Sequence, residues 1–124
     1  MIKILRLSTG FTLIELVVTV AVVGVLASIA LPLVELEQKR NKERELRHAL
    51  EQIREAIDAY KAAVDGGHIP VTLNESGYPT SLELLVAGVR DARDPSGKKI
   101  FFLRRLPRDP MAADAITLPA QTWG

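Results

Sequence analysis

The 124 residues suffice for one small domain. Hydrophobic residues make up 48% and charged ones 25%, which joins an apolar segment to a strongly polar one, and a net charge of +1 gives no basic excess directed at nucleic acid or an acidic substrate. The absence of cysteine excludes disulfides, thiolate metal sites and thiol chemistry, and it leaves an extracytoplasmic location open, because a disulfide is permitted there and not required.

In chain order, Lys3 and Arg6 precede an apolar block from Phe11 to Val34 whose only polar side chains are Thr12, Glu15, Thr19 and Ser28. As a helix at about 1.5 Å per residue, this block reaches roughly 36 Å, enough to cross a hydrocarbon core of about 30 Å. The two cations ahead of it place that end in the cytoplasm and the rest of the chain outside the inner membrane. Ala27 to Pro32 offers a weak small-x-small cleavage pattern, so a cleavable export signal is the bland alternative, although such signals carry a shorter apolar region of roughly 7 to 15 residues.

Glu35 to Arg47 holds five basic residues against four acidic ones, a pattern that reads as a solvated helix face with local ion pairs. Neither Gly nor Pro occurs between Leu33 and Asp65, and Leu46, Leu50, Ile53, Ile57, Tyr60 and Val64 recur at alternating steps of four and three. That spacing predicts one amphipathic helix with a single apolar stripe, continuing the membrane helix through a bend at Pro32. Asp65-Gly66-Gly67 ends it. The stripe requires a cover, either the C-terminal region or neighbouring copies.

Beyond residue 66, turn signals stand at Asn74 to Gly77, Asp94 to Gly97 and Pro107 to Pro110. Between the first two, a short helix is predicted after Thr80 or Ser81 as N-cap, with Gly88 at its end. Lys99 to Leu103 reads as a short strand, and no element is predicted after Pro110. Asp65 and His68, and Asp109 and Asp114, invite comparison with a metal site, but helix-ending and turn-forming roles account for them better because no ligand set of suitable spacing exists. His48 reads as solvent-facing, and Phe101, Phe102 and Trp123 as core. No catalytic motif, phosphate loop or cofactor site is visible, so an enzyme is not expected.

Gly10-Phe11-Thr12-Leu13-Ile14-Glu15 at the head of a spanning helix resembles the processing motif of type IV pilins and type II secretion pseudopilins. Tyr78-Pro79-Thr80, a helix, then Leu103-Arg104-Arg105-Leu106-Pro107-Arg108-Asp109-Pro110 and Trp123-Gly124 are similar in order to the major-pseudopilin pattern. The resemblance implies an α+β, pilin-like fold: leader 1–10, transmembrane and assembly half-helix 11–34, amphipathic half-helix 35–65 and a small C-terminal α+β region 66–124. It implies cleavage between Gly10 and Phe11 by a prepilin peptidase, N-methylation of Phe11, and pairing of Glu15 with the N-terminus of a neighbouring subunit. Gly24 and Pro32 match helix breakers between which such helices unwind in some filaments.

The same resemblance implies a structural subunit of a helical periplasmic filament in type II secretion, anchored in the bacterial inner membrane. Its partners would be further copies of itself, other pseudopilins, the prepilin peptidase and the inner-membrane assembly platform. A type IV pilus subunit and a non-assembling anchored binding protein are the alternatives. The family's aspartate-rich calcium loop follows Trp-Gly and has no counterpart here, so no metal or other cofactor is carried over, and the leader, with Ile2, Ile4, Leu5 and Leu7, is more apolar than the family's usual one.

Overall fold

The computed structural model describes residues 10–113 and 117–124. Its elements are a long helix α1 (Leu13–Asp65), a short helix α2 (Leu82–Ala87), strands β1 (Val89–Arg90) and β2 (Lys99–Ile100), and a 3-10 turn over Pro119–Trp123. The chain divides into two compact units, Met1–Lys39 and Arg40–Gly124. Together the long helix and the small two-stranded region give the expected α+β, pilin-like organisation.

In the first unit, α1 runs through Gly24 and Pro32 as continuous helix. Pro32 lacks the N–H that would reach the Ser28 carbonyl, so the ladder is weakened there without ending. Every described residue of this unit is exposed, including the large apolar side chains from Leu13 to Val34. The helix is long and apolar enough to cross a membrane.

The second unit has a core of Ala49, Ile53, Ala56, Tyr60, Ile69 and Leu85. On α1 the buried positions are 49, 53, 56 and 60, so the buried face shares Ile53 and Tyr60 with the predicted stripe but turns toward the alanines. Leu50, expected inside, is 48% exposed, and Leu46 is only partly buried. Alanines at 49 and 56 present little side chain, which lets other chain segments come close to the helix backbone, and a search for large apolar residues passes over them.

A Schellman arrangement closes α1: His68 N–H donates to the Ala63 carbonyl and Gly67 N–H to that of Val64, both at 2.9 Å. Gly67 has φ +74°, the left-handed conformation the motif needs at this position. The helix therefore ends where the glycine pair predicts. α2 also lies where expected, preceded by Ser81 in extended conformation, although the Ser81 hydroxyl makes no capping bond. Gly88 closes it by donating to the Leu84 carbonyl at 3.1 Å.

Three details of the C-terminal region depart from the sequence reading. The predicted strand stops at Ile100, because the Phe102 and Leu103 amides turn to the Leu85 carbonyl at 3.1 and 3.0 Å and leave the ladder. Its antiparallel partner β1 pairs Val89 with Ile100 and Arg90 with Lys99 around the Asp94 to Gly97 turn. The 3-10 turn after Pro110 is also additional: Trp123 Nε1 donates to the Pro107 carbonyl at 2.8 Å and Asp109 N–H to Thr122 Oγ1 at 3.1 Å. Phe102 packs edge-on against Tyr60, with ring centroids 5.4 Å apart, which ties this segment to α1.

Candidate functional site

The residues of the N-terminal motif come together at the head of α1. Gly10 and Phe11 lie outside the helix, space is open around the Gly10 Cα, and the Phe11 side chain is 87% exposed. Thr12 is the N-cap: its carbonyl accepts the first helical bond, from Leu16 N–H at 3.1 Å. Its hydroxyl oxygen accepts from Glu15 N–H at 3.3 Å. Glu15 Oε2 in turn accepts from the Thr12 N–H at 3.1 Å and hydroxyl at 3.3 Å. This reciprocal arrangement is a capping box, and it also places the carboxylate at the positive end of the helix dipole.

Sequence reasoning singled out Glu15 and passed over Thr12, although the signal was present as Thr12-Leu13-Ile14-Glu15, a hydroxyl residue followed three places later by an acid. The other two polar side chains of the apolar block are also satisfied on their own helix. Thr19 Oγ1 donates to the Glu15 carbonyl at 2.7 Å and Ser28 Oγ to the Gly24 carbonyl at 2.9 Å. Such back-bonding removes the cost of carrying a hydroxyl into hydrocarbon. Glu15 is the block's one ionisable side chain, so it alone brings a charge into the apolar segment. Gly24 and Pro32 lie farther along α1, in helical conformation.

The residues considered as metal ligands fall into separate local networks. Asp65 takes a 2.6 Å ion pair from Lys61 Nζ, Asp109 Oδ1 accepts Met111 N–H at 2.8 Å, and Asp114 lies outside the described residues. His68 Nδ1 stands 3.1 Å from Asp91 Oδ1, and the same carboxylate oxygen accepts Arg93 N–H at 2.9 Å. The Arg93 amide first, and the His68 imidazole after it, hold the Asp91 carboxyl below the usual carboxylate range. No group of three His, Cys, Asp or Glu side chains suited to a metal ion occurs among the described residues. His48 is exposed and pairs with Gln52 at 3.1 Å.

The family described as the prokaryotic N-terminal methylation motif matches residues 5–31. The type II secretion system core protein G of Vibrio cholerae is 31% identical over 116 residues, covering 90% of this chain and 71% of that protein. The core protein G of Escherichia coli K12 is 33% identical over 108 residues, 86% of this chain and 69% of the relative. A type IV major pilin protein, PilA of Myxococcus xanthus, is 34% identical over 93 residues, 68% of this chain and 42% of the pilin. No solved structure matches.

Proposed function

The chain belongs to the family of type II secretion system core protein G, the major pseudopilins, and from that premise we propose that Gly10–Phe11 is its leader-cleavage bond and Glu15 its assembly contact. The observation that carries this reading is the methylation-motif match over residues 5–31, set on a helix whose head leaves Gly10 and Phe11 unwound and Glu15 beside them.

Cleavage after Gly10 converts the Phe11 amide into an amine, which methylation leaves basic. A cation is thereby created a few residues from an acid in an apolar segment. A carboxylate at the centre of a spanning helix costs roughly 2.5 to 3.5 kcal/mol, less near an end, and an ammonium from a neighbouring copy offsets that cost. The pairing sets the axial register of one apolar helix against the next. The exposed side chains from Leu13 to Val34 face lipid while the subunit is stored and neighbouring helices once it is assembled. Lys3 and Arg6 favour a cytoplasmic N-terminus, with the second unit on the periplasmic side. Gly24 and Pro32 bound the stretch that unwinds on assembly, where the missing Pro32 N–H already weakens the ladder. Partners on this reading are the prepilin peptidase, further copies of the chain, other pseudopilins and the inner-membrane assembly platform.

The pilin match favours a second reading, a subunit of a type IV pilus. Secretion is favoured by the coverage of core protein G relatives, up to 90% of this chain against 68% for the pilin, and by Tyr78-Pro79-Thr80 and Leu106-Pro107-Arg108-Asp109-Pro110. The test is a Glu15→Gln variant expressed with a prepilin peptidase and the assembly platform. Leader removal continues, because glutamine still closes a capping box, while filaments sedimented from sheared cells fall at least tenfold. Filaments at the wild-type level would remove the assembly role from Glu15.

A further inference from the structure

The capping box does more than begin a helix, because it begins it immediately after the bond to be cut. Among the described residues, the first carbonyl engaged in the α1 ladder is that of Thr12, and the Gly10 and Phe11 carbonyls accept no backbone bond. We propose that Thr12 is a positioning residue for leader removal: with Glu15 it stops the helix at Leu13 and keeps the Gly10 carbonyl, where the peptidase attacks, out of helical hydrogen bonding. This inference rests on the reading of Gly10–Phe11 as the processing site.

The physical case turns on the solvent. In an apolar medium an unpaired backbone N–H or carbonyl costs several kcal/mol, so a helix entering the bilayer gains by extending upstream until something else satisfies its first donors. The capping box supplies that satisfaction locally. Thr12 N–H, which in an extended helix would donate four residues back, is bonded to Glu15 Oε2, and Glu15 N–H, which would otherwise reach the Phe11 carbonyl, is bonded to Thr12 Oγ1. The Glu15 bond that would draw Phe11 into the helix is therefore spent within the box, and a Thr12 held as N-cap breaks the helical run over residues 11–13 that a bond from Ile14 N–H to the Gly10 carbonyl would need. A helical Gly10 would hold its carbonyl against Ile14 N–H and crowd the scissile bond with the preceding turn. A Gly10 outside the helix, with nothing within 4 Å of the position a Cβ would take, is open to a protease cleft. Glu15 thus acts first as half of a helix stop and, once cleavage has made an amine on a neighbour's Phe11, as the partner of that amine.

If the stop sets the fraction of precursor with a cleavable bond, weakening it raises the apparent KM and leaves kcat unchanged, because at saturating precursor every peptidase molecule holds the competent conformer. The test uses full-length precursor in detergent with purified prepilin peptidase. Thr12→Val, which keeps size and loses the hydroxyl, is expected to raise KM about three- to tenfold with kcat within about twofold, and Thr12→Ser to restore wild-type kinetics. Backbone carbon chemical shifts of Gly10 and Phe11 in the uncut precursor supply an independent readout. They are expected to be non-helical in the wild type and Thr12→Ser, and to move toward helical values in Thr12→Val. Wild-type KM for Thr12→Val, or unchanged shifts at Gly10, would overturn the proposal. Failure of the wild-type precursor to be cut at Gly10 would instead overturn the processing assignment on which it rests.

Discussion

Replacing Gly88 by alanine should destabilise the second unit by about 2 kcal/mol, for reasons that are local and separable. Gly88 closes α2 with φ +79° and ψ 154°, a region of backbone space in which only glycine is comfortable, and an L-residue there costs about 1 to 3 kcal/mol. An added Cβ would also stand 2.8 Å from the Phe101 ring and 3.1 Å from the Ile100 carbonyl. The ring is 63% exposed and can swing away, whereas the carbonyl belongs to strand β2 and cannot. Alanine returns roughly 0.4 to 1 kcal/mol by restricting the unfolded chain. In a folded unit of this size the balance lowers Tm by about 10 °C. The assay is thermal unfolding of the full-length chain in detergent, followed by Trp123 fluorescence, since its indole is fixed on Pro107 only in the folded unit. Adding Phe101→Ala should recover little of the loss. A Tm drop under about 3 °C, or full recovery in the double variant, would show that backbone strain at Gly88 is not the cause.

The rotated face of α1 can be tested with two substitutions: Leu50→Gln should change stability by less than about 0.5 kcal/mol, whereas Ala56→Leu, at a position 3% exposed, should cost about 1 to 3 kcal/mol by overpacking. Urea titration of both variants decides between this face and the one centred on Leu50. The Asp91 carboxyl is held below its usual range, so its contribution is fully present above the unfolded carboxylate pKa of about 4 and is lost as pH falls through the folded value. Wild type should accordingly melt above Asp91→Asn at pH 6, and the gap should narrow as pH falls below about 4; a gap that stays constant as the pH is lowered would refute the pairing.

Local chemistry made much of this fold legible. The glycine pair after Asp65 and the Ser81 to Gly88 interval located two helix ends because those residues act through their own backbone. Strand β1 escaped notice because its two residues have no period of their own and owe their conformation to pairing with Lys99 and Ile100. The 3-10 turn escaped for a similar reason: it is tied down by Trp123 reaching Pro107, a contact across 16 positions. Ala49 and Ala56 were passed over because a search for large apolar residues misses the small ones that allow close approach. At the candidate site, Gly10, Phe11 and Glu15 were read from their order, yet the bonds joining Glu15 to Thr12 were equally present in the sequence as a capping signature.

Intact-mass and N-terminal fragmentation measurements on the protein extracted from membranes of cells containing a prepilin peptidase test the processing claim most directly. The expected species has lost Met1 to Gly10 and begins with a Phe11 carrying one added methyl group. A chain that keeps Met1, or one that begins at any residue other than Phe11, would contradict it.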